Sequence, residues 1–595
     1  MRIKQLPLIA AILSILATAA APAWAILSIN TAQYLNDDVG ATTFYANGFT
    51  GTNAIIANIE GGYIWDQHIL TSQDTVEFSD PSITGQFDLH ATAVGSVLNG
   101  NVPFDGFLIL DNTLFPVSAL DGIAPNAQVW SGAIATEWFD VGGGQYSTSF
   151  NISNASFSTP YLEAMVTGVP QANGQTADVI TSSWDTGASE AGNDYLSVVL
   201  DSLANEGGKT LVFAAGNGGP GTNTVNSPAT GTNALVVGAL MSDSTTPAYS
   251  QIADFSSVSP TDFFIPADRS GNLGTYLVGV RARIDITAPG TDMILAYYGG
   301  DTGGGAFGSG APNPPNDLIA YPFAGTSFAT PIVSAGAGLV VDAGKTLFPN
   351  DVRAIDGRVV KAVLMNSATK PQGWNNGQFT DGNGVIFTTQ SLDYTYGSGI
   401  LNLNQAWNQY TTGTTDLIDV NGHPTMTGGS IQPTGWAFGQ ITHLPNRKAV
   451  VSYLFNTPLT AGSTLAATLD WYSNEITTPG SDGLDATFGS FDNLDLSIFY
   501  ISLTQHTLIA ESASQYNSAQ ELFFNLPLTG TYEIEVSETS YLWNFVGDTT
   551  TDFGLAWSTT YVPEPASLAM LALSGGLLLR RGGRKPQARV SAAIS

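Results

Sequence analysis

The pattern of apolar residues changes character once along this chain of 595 residues, near residue 411, and that change limits the fold more than any other feature. Between 54 and 410, short β-branched or apolar runs at 54–59, 129–133, 179–182, 210–214 and 234–237 alternate with helix-like stretches at 90–98, 195–206, 327–343 and 359–366. Strands separated by helices are joined by crossovers and so pair in parallel. The expectation is an α/β domain with a mostly parallel sheet flanked by helices. From about Trp436 to Trp557, alternating segments such as 464–471, 494–502, 521–525 and 531–536 are separated by turn residues with almost no helical period. A period of two with frequent turns predicts an all-β sandwich. The polar run Thr411-Thr412-Gly413-Thr414-Thr415 begins the link. The chain is therefore divided into 26–411, a linker at 412–435 and a β-domain at 436–560, with terminal segments 1–25 and 561–595.

Charge narrows the partners. Seven of the 18 basic residues lie in the two terminal segments, which leaves 11 against 48 acidic residues in 26–562, a formal charge of −37. Such a surface repels phosphate backbones and excludes nucleic-acid binding. There is no cysteine, so disulfides, thiolate metal sites and a cysteine nucleophile are all excluded. Stabilising cross-links must come from packing or from ions held by other ligands.

The ends read as addresses. Residues 1–25 carry Arg2 and Lys4, an apolar stretch from 6 to 21, and Ala23-Trp24-Ala25, the small-x-small pattern that signal peptidase cuts. Only about 30 residues then precede the apolar run at 54–59, too few for a long propeptide. At the other end, Val562-Pro563-Glu564-Pro565 is followed by fourteen largely apolar residues and Arg580-Arg581. This resembles the PEP-CTERM sorting signal of Gram-negative bacteria, which an exosortase recognises. The chain continues past Arg584 to Ser595, further than such signals usually run. The resemblance implies an exported protein of the cell surface or extracellular matrix. A C-terminal helix would anchor it transiently in the inner membrane, and signal peptidase and exosortase would process it.

A serine hydrolase needs a base beside its nucleophile, and the first 410 residues offer only His68 and His90. His90 lies in Asp88-Leu89-His90-Ala91-Thr92-Ala93-Val94-Gly95, where small residues permit close backbone packing around the start of a helix. Gly325-Thr326-Ser327-Phe328-Ala329-Thr330-Pro331 opens a helix rich in Ser, Ala and Gly. Such a helix can pass through a core while Ser327 stays at its exposed N-terminus, an end that favours developing negative charge. Leu211-Val212-Phe213-Ala214-Ala215-Gly216-Asn217-Gly218 reads as a buried strand delivering an amide donor. Each segment alone is compatible with a structural turn.

In this order they resemble the subtilase family of serine endopeptidases. Further matching segments are Gly122-Ile123-Ala124-Pro125, Ser227-Pro228-Ala229, Thr287-Ala288-Pro289-Gly290, Leu364-Met365-Asn366-Ser367-Ala368-Thr369 and Tyr396-Gly397-Ser398-Gly399. The resemblance covers about residues 38–411 and implies a subtilisin-like fold. It makes Ser327 the nucleophile, His90 the general base and then acid, and Asn217 an oxyanion-hole donor. Subtilases end their first strand with Asp, whereas here Ala57-Asn58-Ile59 leads to Glu60-Gly61-Gly62. Glu60 is therefore the expected orienting acid, with Asp66 as a substitute, and a catalytically weak or inactive surface or matrix protein on the same fold is the alternative. Val179-Ile180-Thr181-Ser182-Ser183-Trp184 aligns with the strand that lines the family's first specificity pocket, although Asp185 stands where glycine is usual. Ser183 is the expected substrate contact. The Gly-x-Ser-x-Gly spacing of esterases is absent around Ser327.

Residues 464–557 resemble the jelly-roll module that follows the catalytic domain in some bacterial subtilases. Asp482, Asp485, Asp492 and Asp495 suggest Ca²⁺ there, with a solvated acidic loop as the alternative. No cofactor or metal is required for the expected reaction. The expected protein is a monomer acting on protein or peptide substrates.

Overall fold

The computed structural model describes residues 32–560 apart from 84–85, 102–106, 111–112, 117–119, 143–144, 243–248, 268–273, 299–318, 414–427 and 445–447. The central strand of the N-terminal region, Ile55–Glu60, is covered on both faces, as expected for a strand in the middle of a parallel sheet. It pairs in parallel with Gln128–Ala133 on one side and Val179–Ser182 on the other. The sheet continues through Thr210–Ala214 to Leu235–Ser242 and, at the opposite edge, to Val76–Ser79. Ile286–Pro289 joins Leu235–Ser242 in parallel, and Tyr249–Ile252 is the single antiparallel member. The alternation of apolar runs and helical stretches thus produces the expected mostly parallel sheet flanked by helices.

One helix, Thr326–Leu347, runs through the core of this region and is buried at every position from Thr326 to Gly344. Its small residues permit the passage. A Cβ at Gly338 would lie 2.9 Å from Cδ1 of Ile56 on the central strand, and one at Gly336 would lie 2.8 Å from Cδ2 of Leu403. Asp342, near its far end, is buried and accepts from the Gly51 and Asn53 amides at 2.9 and 3.2 Å, which satisfies its charge without a cation.

The C-terminal region is β-rich and has two sheets, a sandwich-like architecture. One contains Gly435–Thr442, Thr550–Thr560, Thr464–Trp471 and Ala519–Asn525, in that order. The other runs from His506–Ser512 through Leu484–Ile501, Thr531–Asn544 and Ala449–Phe455 to Gly428–Ile431. Trp471, Trp557, Phe491, Phe553, Leu496 and Ile534 form its core. Gly428–Ile431 lies in the stretch read as linker and pairs in parallel with Ala449–Phe455. A hairpin from the N-terminal region, Phe379–Thr380 with Ile386–Phe387, extends the second sheet by pairing with His506–Ser512. Short strands of that kind carry too little periodicity to be read from sequence.

The two regions meet through buried charge. Lys361, on the helix Gly357–Asn366, pairs with Asp470 at 2.9 Å, and both side chains are fully buried. Burial pushes the Asp470 carboxyl up to about 7 against the lowering effect of Lys361. Lys370 pairs with Glu521 at 2.6 Å. Gln409 donates to the carbonyls of Gly435 and Trp557. Removing one member of a buried pair strands the other charge. Asp470→Asn is therefore expected to cost about 3–5 kcal/mol of stability, read as a lower urea midpoint. A Lys361→Met, Asp470→Leu double variant should recover most of the loss.

One expectation is corrected here. Among the described residues, a single helix is long and apolar enough to cross a bilayer, and it is Thr326–Leu347, in mid-chain and wholly buried. It is not near the C-terminus, so the membrane-anchored localisation expected from a C-terminal helix does not stand. Apolar composition records burial, and a core helix and a bilayer-spanning helix satisfy it equally. The residues read as signal peptide and as PEP-CTERM segment, 1–25 and 561–595, lie outside the described residues.

Candidate active site

Glu60 ends the central strand, and its side chain is 1% exposed. One carboxylate oxygen, Oε1, accepts from the Ser183 amide at 2.7 Å. The other, Oε2, lies 3.2 Å from Nδ1 of His90. Two glycines follow Glu60 where the packing leaves no room for side chains. A Cβ at Gly61 would lie 2.6 Å from Cη2 of Trp138, and one at Gly62 would lie 2.6 Å from the Gln86 carbonyl oxygen. Asp66, the substitute acid considered from sequence, has a buried Oδ1 without a hydrogen-bond partner and is felt electrostatically by Glu77. The carboxylate beside His90 is that of Glu60.

His90 is the second residue of the helix Leu89–Asn99, whose N-cap, Asp88, accepts from the Ala91 amide at 3.1 Å. The imidazole is 27% exposed, which leaves a face open to a reacting group. Burial disfavours its charged form, but the hydrogen bond and charge of Glu60, with the charge of Asp88, outweigh that and raise its pKa above the ordinary 6.5. Burial raises Asp88 itself to about 6, against the lowering effects of His90 and the Ala91 amide.

Ser327 is the second residue of the core helix and is 8% exposed, more covered than expected for a helix terminus. The cover is Ser183. Ser327 Oγ donates to the Ser183 carbonyl at 3.1 Å, and Ser183 Oγ donates to the Ser327 carbonyl at 3.0 Å. With its amide given to Glu60, Ser183 has its N–H, carbonyl and hydroxyl all engaged and is buried. It ties the strand end of Glu60 to the helix start of Ser327. Behind it, Ser182 Oγ donates to the Ile59 carbonyl and pairs with the Tyr161 hydroxyl, to which Trp184 Nε1 also donates. This network joins segments distant in sequence and carries no local signal.

Asn217 is exposed beyond the strand Thr210–Ala214. Its Oδ1 accepts from both the amide and the hydroxyl of Thr326, at 3.0 and 3.1 Å. An N–H can be accepted only by the oxygen of the side-chain amide, so Nδ2 is turned the other way. It lies 3.7 Å from where a Cβ on Gly325 would stand, beside the start of the helix that carries Ser327.

The four aspartates read as a calcium cluster do not converge. Asp485 and Asp492 both lie on Leu484–Ile501, seven residues apart, a separation of about 20 Å along a strand. A single ion cannot take both.

Comparison with known proteins identifies the family. The subtilase family (Peptidase S8) matches residues 66–399, more than half of the chain. A segment of 130 residues is 33% identical to pyrolysin of Pyrococcus furiosus. It covers 22% of this chain and spans 8% of the length of pyrolysin. The parallel sheet, the glycine-rich core helix opening on Ser327 and the extent of the family match lead to one conclusion: the chain belongs to the subtilase family.

Proposed function

We propose that this protein is a serine endopeptidase that cleaves peptide bonds through a Ser327/His90/Glu60 triad and an acyl-enzyme. The observation that carries the reading is the Glu60 carboxylate held between the Ser183 amide and Nδ1 of His90. A carboxylate at Nδ1 keeps the proton there and leaves Nε2 as the acceptor, the tautomer a general base requires. His90 then takes the Ser327 proton as Oγ attacks the substrate carbonyl carbon, and returns it to the leaving amine as the peptide C–N bond breaks. Water repeats the cycle on the ester. The oxyanion formed at each attack would be met by Nδ2 of Asn217 and by the Ser327 N–H, one of the first-turn amides that a helix leaves without an intrahelical partner. Ser183 enters this reading as a strut that fixes acid and nucleophile relative to each other. The substrate class is protein or peptide.

A second reading has one observation in its favour. The Ser327 hydroxyl donates to the Ser183 carbonyl, so it must rotate before a base can receive its proton. If that bond persists with substrate, the protein is a weak or inactive member of its family.

Fluorophosphonate labelling of the full chain across pH separates the two readings. An active site labels at Ser327 and loses its labelling rate on the acid side, because protonated His90 cannot act as base. The raised pKa of His90 places that midpoint above 6.5. Absence of labelling at every pH supports the inactive reading.

A further inference from the structure

Outside the active site, three metal-ligating side chains converge in the C-terminal region: His443, Asp492 and Glu538. One ligand atom from each lies within 4.8 Å of the others. They come from both sheets. His443 follows the strand Gly435–Thr442 of the four-stranded sheet, whereas Asp492 and Glu538 lie on Leu484–Ile501 and Thr531–Asn544 of the other.

The site is built rather than accidental. The ladder between Leu484–Ile501 and Thr531–Asn544 shifts register between Phe491 and Asp492 and again between Asn493 and Leu494. Such irregularities re-aim a side chain. The Asp492 side chain is 5% exposed, and its Oδ1, 3.6 Å from Nε2 of His443, has no hydrogen-bond partner. Its other oxygen accepts from the Thr551 hydroxyl, which orients the carboxylate as a second layer of groups commonly orients a metal ligand. Glu538 Oε2 lies 3.2 Å from Nδ1 of His443, and that nitrogen is also buried without a hydrogen bond. The imidazole packs on Tyr541 with ring centroids 4.2 Å apart. His443 is 9% exposed, so the cluster keeps a path to solvent.

We infer that His443, Asp492 and Glu538 form a binding site for a divalent transition-metal ion of the zinc type, which cross-links the two sheets of the C-terminal region. Two ionised carboxylates in a nearly closed site carry two negative charges, of which an imidazolium could balance only one, whereas a divalent ion balances both. One nitrogen and two carboxylate oxygens suit Zn²⁺ at about 2.0–2.2 Å, with a fourth position for water. Ligands of a tetrahedral zinc lie about 3.3 Å apart, so the three ligand atoms, now within 4.8 Å of one another, would close in on the ion as it binds. Calcium, which takes six to eight oxygen ligands, does not suit a site with an imidazole and so few oxygens. In a chain without cysteine, such an ion supplies the cross-link that disulfides provide elsewhere.

The test uses the full chain, stripped with a chelator and titrated with Zn²⁺ or Ca²⁺ by calorimetry and thermal unfolding. Zn²⁺ should bind saturably at this site and raise Tm by about 5 °C or more at a hundredfold excess over Kd. His443→Ala and Glu538→Gln should each weaken binding by about 100-fold or more and abolish the Tm shift. A second group among the described residues, exposed His506 with Glu533 and Glu535, offers a competing surface site. His506→Gln should therefore leave the Tm shift intact. If His443→Ala does not fold, Glu538→Gln and the titration of the parent protein decide. Absence of saturable Zn²⁺ binding, a Tm shift that survives in Glu538→Gln or disappears in His506→Gln, or a response to Ca²⁺ alone overturns the proposal.

Discussion

Ser327→Ala and His90→Ala are each expected to abolish casein hydrolysis, with kcat falling on the order of 10⁶-fold, as when the serine or histidine of a subtilisin triad is removed. The two losses should not add, because nucleophile and base act as one unit. The first substitution removes little structure. Its hydroxyl makes one hydrogen bond, to the Ser183 carbonyl, and such a bond contributes about 1 kcal/mol. Loss of activity with an unfolding midpoint lowered by no more than that therefore reports chemistry rather than folding. If repurified Ser327→Ala protein digests casein at the parent rate, the nucleophile lies elsewhere.

Glu60→Gln is expected to keep the fold and lower kcat by about 10⁴, the cost of an acid-to-amide change in a serine-protease triad. The geometry supplies the reason. The Ser183 amide donates to Oε1, so the oxygen of a glutamine must take that position and its NH₂ must face Nδ1 of His90. His90 would then carry its proton on Nε2, where it cannot accept one from Ser327. Glu60→Asp draws the carboxylate back by about 1.5 Å, too far to serve Ser183 and His90 together. A misplacement near 1 Å can cost on the order of 10²-fold, so activity should fall here as well. Steady-state kcat on a chromogenic peptide, with circular dichroism to confirm folding, measures both. A tenfold gain in Glu60→Asp would mean that glutamate is a defect in an otherwise family-like site, and the weak-enzyme reading would gain. An unchanged kcat in Glu60→Gln would remove Glu60 from the mechanism.

The family, the parallel sheet and the β-rich C-terminal region were legible in the sequence because each leaves a local trace. The core helix announces itself by Ser334, Ala335, Gly336, Ala337 and Gly338, and its start follows from the sequence, although it runs on to Leu347, past the expected end at 343. The run at 531–536 alternates because a half-covered sheet demands a period of two, whereas the strand at 464–471 is buried at every position after Thr464. Among the described residues, the one helix apolar and long enough to cross a bilayer is this core helix, since hydropathy marks exclusion from water and does not distinguish a protein core from a bilayer.

Convergence was not legible. That Ser183 holds both Glu60 and Ser327, residues 123 and 144 positions away, depends on two strands becoming neighbours and on a helix starting where they end. Glu60 looked like a departure, and only the tertiary structure places its longer side chain against both the Ser183 amide and Nδ1 of His90. Asp492 read as one of four aspartates awaiting calcium, yet a register shift in its strand points it at His443 on the facing sheet. Periodicity and composition are properties of neighbours along the chain. Sites are made by neighbours in space, and those are set by crossovers, bulges and sheet packing whose free energy is spread over the whole core.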